Sequence, residues 1–325
     1  MSNQKKSGGE IKAALALLLL IVSTVIFFIP VLCLGLLKLI PVTRWRVGLT
    51  RAIDNVVEYW AEVNNIAIRK TQKVSWQVNG LEHLKPNDWH LIIANHQSWL
   101  DIVVLQYIFN GKIPMLKFFI KNSLKWVPLL GFAWWAMGCP FMKRYSREYL
   151  RKNPSRRGKD LEATRKAMAL FKYSPASITN FVEGTRFTAS KKELQQSPYR
   201  YLLKPRAGGI SFVIGALNNS INRLIDVSIV YSEENHSLWD FLCHRIDVIA
   251  VDIREVAIPA EFSNPDLVND EETQLQFRLW LNNLWLEKDN IIHELKKTCA
   301  LAANKQSIDN TVDTMRQNEQ CLPEN

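Results

Sequence analysis

A histidine and an aspartate five residues apart, His96 and Asp101, have the types and spacing suited to proton transfer. They lie between a strand-like apolar run at residues 90–94 and a helical pattern at residues 102–109. On one continuous helix or strand, the two side chains would lie on different faces. In a loop that precedes a helix, the imidazole can turn back onto the carboxylate. The carboxylate then fixes the imidazole tautomer and stabilises the imidazolium.

A structural role explains Asp101 equally well when this segment is considered alone. Ser98 and Asp101 have the spacing of a capping box, in which two side chains accept backbone N–H groups at the start of a helix. A lone histidine at the end of a strand is also more often structural than catalytic. The local pattern therefore leaves both interpretations open.

Two further blocks follow this pair in the chain. One is the segment Gly-Cys-Pro-Phe-Met-Lys-Arg, which contains Gly138, Phe141 and Arg144. The other is Phe-Val-Glu-Gly-Thr-Arg at residues 181–186. With the histidine–aspartate block they resemble, in the same order, the signatures of the glycerolipid and lysophospholipid acyltransferase family. A single block would be weak evidence, whereas three in order are strong evidence.

The resemblance covers about residues 70–290 and is not uniform along them. Val182 stands where family members commonly have proline, and a weaker fourth block at residues 225–231 lacks its expected proline. Residues 280–289 resemble the branch of lysocardiolipin and lysophosphatidylinositol acyltransferases.

The resemblance implies a reaction and a role for each matched residue. His96 would be the general base for the free hydroxyl of a lysophospholipid, oriented by Asp101, and the oxygen would attack a thioester without an acyl-enzyme. Arg144 and Arg186 would bind the acceptor phosphate, because guanidinium groups suit bidentate contacts to phosphate. The other substrate-binding residues that it implies are Gly138, Phe141, Glu183, Gly184 and Thr185.

Structural explanations exist for these blocks as well. Gly138 would then be a packing glycine, and Glu183 with Gly184 would form a turn at the end of a strand. Three blocks in the family order favour the functional interpretation.

Basic residues give a second, less specific signal. Lys117, Lys121 and Lys125 recur every four residues, which predicts one face of a helix. With Arg206, they are candidate contacts for donor or headgroup phosphates, and a solvated helix face is the alternative. Residues 143–206 hold 17 Lys and Arg against five Asp and Glu. This balance suits an acidic co-substrate such as acyl-CoA or acyl carrier protein, and no other cofactor is expected.

Hydrophobic periodicity predicts the elements that position these residues. Strand-like runs lie at residues 74–78, 90–94, 176–182, 224–231 and 247–256, and helical patterns at 102–109, 160–171 and 276–295. Such alternation predicts an α/β domain, and the resemblance implies a mixed sheet flanked by helices, the glycerolipid acyltransferase fold. We expect this domain to cover residues 71–300, followed by a polar C-terminal tail at 301–325 whose last twenty or so residues are disordered.

An uncharged apolar run at residues 13–37 is long enough to cross a bilayer core. Pro30 would kink or break it, so a spanning membrane helix and a helical hairpin in one leaflet both remain open. With an amphipathic helix at residues 42–70, it makes residues 1–70 a membrane-anchoring segment. A second apolar run at 126–142 contains helix breakers and is expected to pack on the domain or dip into the interface.

The lipid bilayer is therefore an expected partner. Members of the branch named above typically carry more apolar segments after the catalytic domain, and none follows residue 256 here. By analogy we expect a bacterial inner membrane, with the active site facing the cytosol.

Other chemistry has less support in the sequence. The five cysteines and six histidines show no metal-ligand spacing, so no metal site is expected. The net charge of +10 would also suit a membrane-tethered nucleic-acid-binding protein, but no nucleic-acid-binding motif occurs and no such partner is expected. For acyl transfer, the leading acceptor is lysophosphatidic acid at sn-2, with lysocardiolipin or lysophosphatidylinositol as alternatives.

Overall fold

A computed structural model of the chain describes residues 2–142, 175–217, 221, 223–234, 236–263 and 270–319. A six-stranded mixed sheet lies at its centre. The strands of this sheet are β1 (Ser75–Asn79), β2 (His90–Ala94), β3 (Leu116–Phe118), β6 (Ser177–Phe181), β7 (Arg223–Tyr231) and β8 (Val248–Ala257). Two short strands, β4 (Ile120–Lys121) and β5 (Phe141–Met142), pair with each other.

Helices precede, connect and follow the strands. They are α1 (Ser2–Leu37), α2 (Thr43–Thr71), α3 (Leu100–Phe109), α4 (Leu130–Ala136), α5 (Ala189–Leu194), α6 (Ala207–Leu217), α7 (Leu238–Leu242) and α8 (Glu271–Glu319). Short 3-10 helices lie at Leu81–His83, Asn122–Trp126 and Ala260–Ser263.

The strand order of the large sheet is β1-β8-β7-β2-β6-β3. Strands β7, β2, β6 and β3 are parallel, so their carboxyl ends meet at one edge of the sheet. Strand β8 runs antiparallel to β7, and β1 runs parallel to β8. The predicted α/β class and the mixed sheet flanked by helices are thus confirmed.

Two clusters of buried apolar side chains cover opposite faces of the sheet. Ile92 of β2 packs in one cluster with Val104 of α3, and Ile93 packs in the other with Val213 of α6. Helix α3 follows β2 on one face, whereas α6 comes after β6 on the other face. Neighbouring parallel strands whose connections leave to opposite faces form a topological switch point, where ligands bind in open α/β sheets. Here that point lies between β2 and β6.

The predicted strands agree with the observed ones to within two residues. Strands β3, β4 and β5 were not predicted, because two or three residues are too few for a hydrophobic period to show. The helix expected at 102–109 is α3, and the one expected at 160–171 lies outside the described residues.

The helix expected at 276–295 is longer in the structure. Helix α8 continues beyond residue 300 to Glu319, so it extends into the polar C-terminal tail expected from residue 301. Residues 271–319 contain neither glycine nor proline, so no helix breaker ends α8 earlier.

The first two helices form an antiparallel hairpin. Ser23 donates a hydrogen bond to Asn64 at 3.1 Å, and the rings of Phe27 and Tyr59 lie 6.2 Å apart. Helix α1 continues through Pro30 without a break. In the part of the chain that the structure describes, the segment Glu10–Leu37 is the one helix long and apolar enough to cross a membrane.

The predicted helical face of lysines is wrong. Lys117 lies in β3, Lys121 in β4 and Lys125 in the 3-10 helix that follows. The segment is extended because β3 pairs with β6, and a spacing of four residues then has no helical meaning. Lys121 and Lys125 are exposed.

Lys117 is buried and joins the sheet to the helical hairpin. Its Nζ donates to both carboxylate oxygens of Asp54 on α2, at 2.8 and 2.9 Å, and to the carbonyl of Met137 at 2.7 Å. A buried charge is costly unless it is paired, so each member of the pair depends on the other.

Breaking this pair should destabilise the fold, because one charge is left buried without its partner. Lys117→Met is expected to lower the free energy of unfolding by about 3–5 kcal/mol, measured by denaturant titration in detergent. Lys121→Met, at an exposed lysine, is the matched control and should change it by less than about 0.5 kcal/mol. The double variant Asp54→Leu/Lys117→Met should recover much of the loss. Additive losses in the double variant would contradict the pairing.

Candidate active site

His96 and Asp101 meet in the loop between β2 and α3. Nδ1 of His96 lies 2.8 Å from Oδ2 of Asp101, and the Asp101 side chain is fully buried in the first turn of α3. The same oxygen accepts the backbone N–H groups of Gln97 and Ser98, at 2.6 and 2.9 Å. An ionised Asp101 therefore places the imidazole proton on Nδ1 and leaves a lone pair on Nε2.

The two interpretations of Asp101 are not exclusive. Its carboxylate accepts the N–H of Ser98, which is one half of the predicted capping box, while it also binds the imidazole. The other half is replaced, because Ser98 Oγ accepts the N–H of Leu100 at 2.9 Å. One carboxylate thus caps α3 and orients His96.

Tyr231, at the carboxyl end of β7, binds the second oxygen of Asp101. Its hydroxyl donates to Oδ1 at 2.7 Å. Burial, followed by the negative charge of Asp101, raises the pKa of Tyr231 well above its ordinary value. The hydroxyl therefore remains a donor, and both carboxylate oxygens are held.

Two side chains of the loop that carries His96 also bind the backbone of β7. The side-chain amide of Asn95 donates to the carbonyl of Ile229 at 2.9 Å and accepts the N–H of the same residue at 2.8 Å. Gln97 Nε2 donates to that carbonyl as well, at 2.8 Å. Residues on either side of His96 are thereby fixed to the neighbouring strand.

Glu183 lies two residues after β6 and is fully buried beside the loop. Its Oε1 accepts the N–H of His96 at 2.9 Å, and its Oε2 accepts the N–H of Leu203 at 2.8 Å. Burial raises the pKa of Glu183 to about 7, and the two backbone hydrogen bonds oppose that rise. Its hydrogen bonds to described residues go to the backbone N–H groups of His96 and Leu203.

The imidazole of His96 has an aromatic neighbour on one face. The ring of Phe181, the last residue of β6, stacks on it with centroids 4.0 Å apart, and Phe118 of β3 lies 6.0 Å from Phe181. The His96 side chain is 15% exposed. Among the residues that the structure describes, none forms a hydrogen bond with Nε2, so this nitrogen is available to a reacting group.

The third block folds back toward the histidine. Gly184 has a φ of 70°, a left-handed conformation that favours glycine. The turn brings Phe187 close enough to donate its N–H to the carbonyl of His96 at 2.7 Å. Thr185 Oγ1 accepts a hydrogen bond from Lys191 at 2.8 Å, and the exposed guanidinium of Arg186 lies 5.4 Å from the ring centre of Trp99.

The second block is described in part. Gly138 follows α4 with a φ of 76°, and Phe141 lies in β5 opposite Ile120 of β4. In the same pairing Lys121 stands opposite Met142. Arg144 lies outside the described residues.

The remaining basic candidates differ in their surroundings. Lys125 lies on the surface with its Nζ 4.8 Å from the ring centre of Trp126. Arg206 is exposed, and its backbone N–H donates to the carbonyl of Val182 at 2.8 Å. Lys117 is bound to Asp54 and so does not present a charge to a phosphate at the surface. In the described part of the chain, no group of three or more His, Cys, Asp or Glu is placed to hold a metal ion.

Tyr231, Leu203 and Phe181 contact the site although sequence reasoning did not assign them. Tyr231 ends a predicted strand and Phe181 is the second-last residue of another, and polar or aromatic residues at the carboxyl ends of parallel strands are candidates for a shared edge. The sequence held no signal for Leu203, because its contribution is a backbone N–H.

The raised pKa of Glu183 predicts a pH-dependent stability. The folded state holds the proton more tightly than the unfolded chain, so this contribution is complete below the ordinary value of 4.5 and is lost as pH rises through about 7. Relative to Glu183→Gln, the wild type should lose up to about 3 kcal/mol between pH 5 and pH 8, measured from unfolding in detergent. Glu193→Gln, at an exposed site, should follow the wild type. An equal pH dependence in Glu183→Gln would contradict the raised pKa.

Comparison with known proteins identifies a family model that matches the central part of the chain. Residues 75–232 match the family model described as Acyltransferase. The chain is 25% identical over 278 residues to the 2-acyl-1-lysophosphatidylinositol acyltransferase of Saccharomyces cerevisiae, which covers 73% of this chain and 68% of that protein. It is 22% identical over 227 residues to 1-acyl-sn-glycerol-3-phosphate acyltransferase epsilon of Mus musculus, covering 63% of this chain and 57% of that protein.

A solved structure is also similar, that of the 1-acyl-sn-glycerophosphate acyltransferase of Thermotoga maritima. The TM-score is 0.48 at 15% identity, over 88% of this chain and 98% of that one. The chain spans between about one third and two thirds of the length of these curated relatives and of others that it matches. The match at residues 75–232 includes His96, Asp101, Glu183 and Tyr231. Residues 75–232 are therefore an acyltransferase domain, similar to the domains of glycerolipid acyltransferases.

Proposed function

We propose that the enzyme transfers a fatty acyl group from acyl-CoA, or acyl carrier protein, to the free hydroxyl of a lysophospholipid. Lysophosphatidic acid, acylated at sn-2, is the leading acceptor. The observation that carries the proposal is the pairing of His96 with Asp101 at 2.8 Å. A neutral imidazole protonated on Nδ1 offers its Nε2 lone pair to a hydroxyl proton, as a general base does.

In the proposed reaction, Nε2 of His96 takes the proton of the acceptor hydroxyl while its oxygen attacks the thioester carbonyl carbon. An ester C–O bond forms and the C–S bond breaks. The imidazolium then returns the proton to the leaving sulfur, which regenerates the base. Asp101 stays ionised throughout and stabilises the imidazolium. The hydroxyl itself is the nucleophile, so no acyl-enzyme is required.

Arg186 is the proposed ligand of the acceptor phosphate. It is exposed, and it precedes Phe187, whose N–H binds the carbonyl of His96. A planar guanidinium can donate two parallel hydrogen bonds to a phosphate near the base. Arg144 stays a prediction for the same role, and the exposed Lys121, Lys125 and Arg206 stay predictions for headgroup or donor phosphates.

Helix α1 is the proposed membrane anchor. The segment Glu10–Leu37 is long enough to span a bilayer, and only 6% of its most apolar stretch is buried within the protein. Transfer of its exposed apolar side chains out of water into lipid would be favourable. A bacterial inner membrane, with the active site facing the cytosol, stays a prediction.

The two curated relatives named above are called after different acceptors, a lysophosphatidylinositol and a 1-acylglycerol 3-phosphate. They support a lysophospholipid as the class of acceptor. Lysophosphatidylinositol and lysocardiolipin therefore stay alternatives to lysophosphatidic acid.

His96→Ala should abolish the proposed base. We expect the acyl-transfer rate from oleoyl-CoA to lysophosphatidic acid to fall at least about a hundredfold, with vesicle binding retained. Asp101→Asn should also lower the rate, because it removes the charge that supports the imidazolium. His83→Ala, at a side chain that is 72% exposed, is the matched control and should retain the wild-type rate. Wild-type turnover in His96→Ala would rule out the proposed base.

A panel of acceptors tests the substrate class. Purified full-length protein is assayed with one acyl-CoA and equal concentrations of lysophosphatidic acid, lysophosphatidylinositol, lysocardiolipin and a monoacylglycerol without phosphate. We expect the highest kcat/KM for lysophosphatidic acid and the lowest for the monoacylglycerol, because Arg186 then has no phosphate to bind. Equal rates with and without phosphate would contradict the headgroup role of Arg186.

A further inference from the structure

Helix α8 begins at Glu271, well beyond the matched residues 75–232. We propose that it is nevertheless a working part of the active site. Trp285 and Asp289 are positioning residues that hold the segment at residues 200–203, so that Leu203 fixes Glu183 and Glu183 fixes His96. This inference rests on the proposed role of His96.

Asp289 fixes the start of this segment. Asp289 is 3% exposed, and its two carboxylate oxygens accept hydrogen bonds from consecutive backbone N–H groups. Oδ2 accepts from Arg200 and Oδ1 from Tyr201, each at 2.8 Å. Two bonds to neighbouring peptide groups determine the direction of the chain as it approaches Leu203.

Trp285 fixes the end of the segment. Its indole Nε1 donates to the carbonyl of Leu203 at 3.0 Å, and the side chain is fully buried. The N–H of Leu203 donates in turn to Oε2 of Glu183 at 2.8 Å. Leu203 therefore joins α8 to Glu183 through its own backbone.

Glu183 connects this segment to the backbone of His96. Its other oxygen accepts the N–H of His96 at 2.9 Å. The position of the His96 backbone sets where Nε2 lies relative to the acceptor, and small displacements of a reacting group reduce rates strongly. Three hydrogen bonds thus connect Trp285 to His96 through Leu203 and Glu183.

Lys288 anchors the same part of α8 to β7. It is fully buried and donates to Oδ1 of Asp226 at 2.7 Å, and Arg254 pairs with the other oxygen of Asp226 at 3.0 Å. The positive charge of Lys288 also acts on Glu183 and favours its ionised form. Trp285 and Asp289 lie next to a fixed point of the helix.

Packing of α8 does not require these polar contacts. The helix already buries Phe277, Leu281, Leu284 and Ile292 against the sheet. A buried carboxylate and a buried indole N–H are stabilised only when their partners are in place, so they add orientation more than binding strength. What they orient is the segment that reaches Glu183.

A loosened segment changes the charge state of Glu183. The groups that face it are His96 from the loop after β2, Asp101 from α3 and Lys288 from α8. The Leu203 N–H favours the ionised carboxylate, so losing it raises the pKa of Glu183 further above about 7. A protonated Glu183 accepts less well from His96, and the acid limb of the rate profile moves to higher pH.

The test uses full-length protein in detergent micelles, with acyl-CoA and the lysophospholipid that the wild type acylates. Trp285→Phe removes the indole donor while keeping an aromatic ring, and Asp289→Asn leaves one oxygen for two N–H donors. Both should lower kcat about tenfold, keep the acceptor KM within about twofold and move the acid limb upward. The matched controls are Trp280→Phe, in the same apolar cluster, and Glu294→Gln, on the exposed side of α8. Neither control should change these parameters.

Backbone amide exchange provides a measurement independent of turnover. In Trp285→Phe and Asp289→Asn, peptides covering residues 200–203 and His96 should exchange faster than in the wild type and the controls. Faster exchange at 200–203 with unchanged kcat and pH profile would overturn the positioning role and leave the proposed acyl transfer intact. If the wild type acylated no lysophospholipid, the proposed function would fail. Unchanged exchange at His96 in both variants would overturn the proposed connection from α8 to His96, whether or not the wild type is active.

Discussion

The Asp101 carboxylate is buried at the start of α3, where four donors converge on its two oxygens: the imidazole of His96, the N–H groups of Gln97 and Ser98, and the hydroxyl of Tyr231. A carboxylate without such partners is costly to remove from water, so its burial requires all of them at once. That requirement fixes three elements relative to one another, namely the loop after β2, the first turn of α3 and the end of β7. The orientation of His96 follows from this arrangement, because its Nδ1 is one of the four donors.

A second buried carboxylate acts on the same histidine from the other side of the switch point. Asp101 binds the ring, whereas Glu183 binds the backbone N–H, so the two carboxylates control different degrees of freedom. Burial raises the pKa of Glu183 to about 7. The site therefore has its base held at the ring by Asp101 and at the main chain by Glu183.

Elements beyond the matched domain support this geometry. The hairpin of α1 and α2 is joined to β3 through Asp54 and Lys117, and β3 also supplies Phe118 to the aromatic stack that includes Phe181 and His96. Helix α8 reaches the other carboxylate through Leu203. Helix α2 thus contacts the strand that supplies Phe118, and helix α8 contacts the residue that fixes Glu183.

The sequence by itself determined what depends on neighbours in the chain. Five of the six strands of the large sheet were visible from their apolar periods, and the short loop before a capping sequence indicated that His96 and Asp101 could meet. The ordered blocks indicated the family, and the length of the apolar run in α1 depends on composition alone.

Tertiary structure decided what depends on the order of strands. Tyr231 is 130 residues from Asp101, and β2 lies beside β7 for reasons that no local pattern contains. Lys117 seemed part of a helical face because its strand has three residues, too few to show a period. The link from α8 through Leu203 runs over backbone groups, which every residue carries, and only their positions in the folded chain distinguish them.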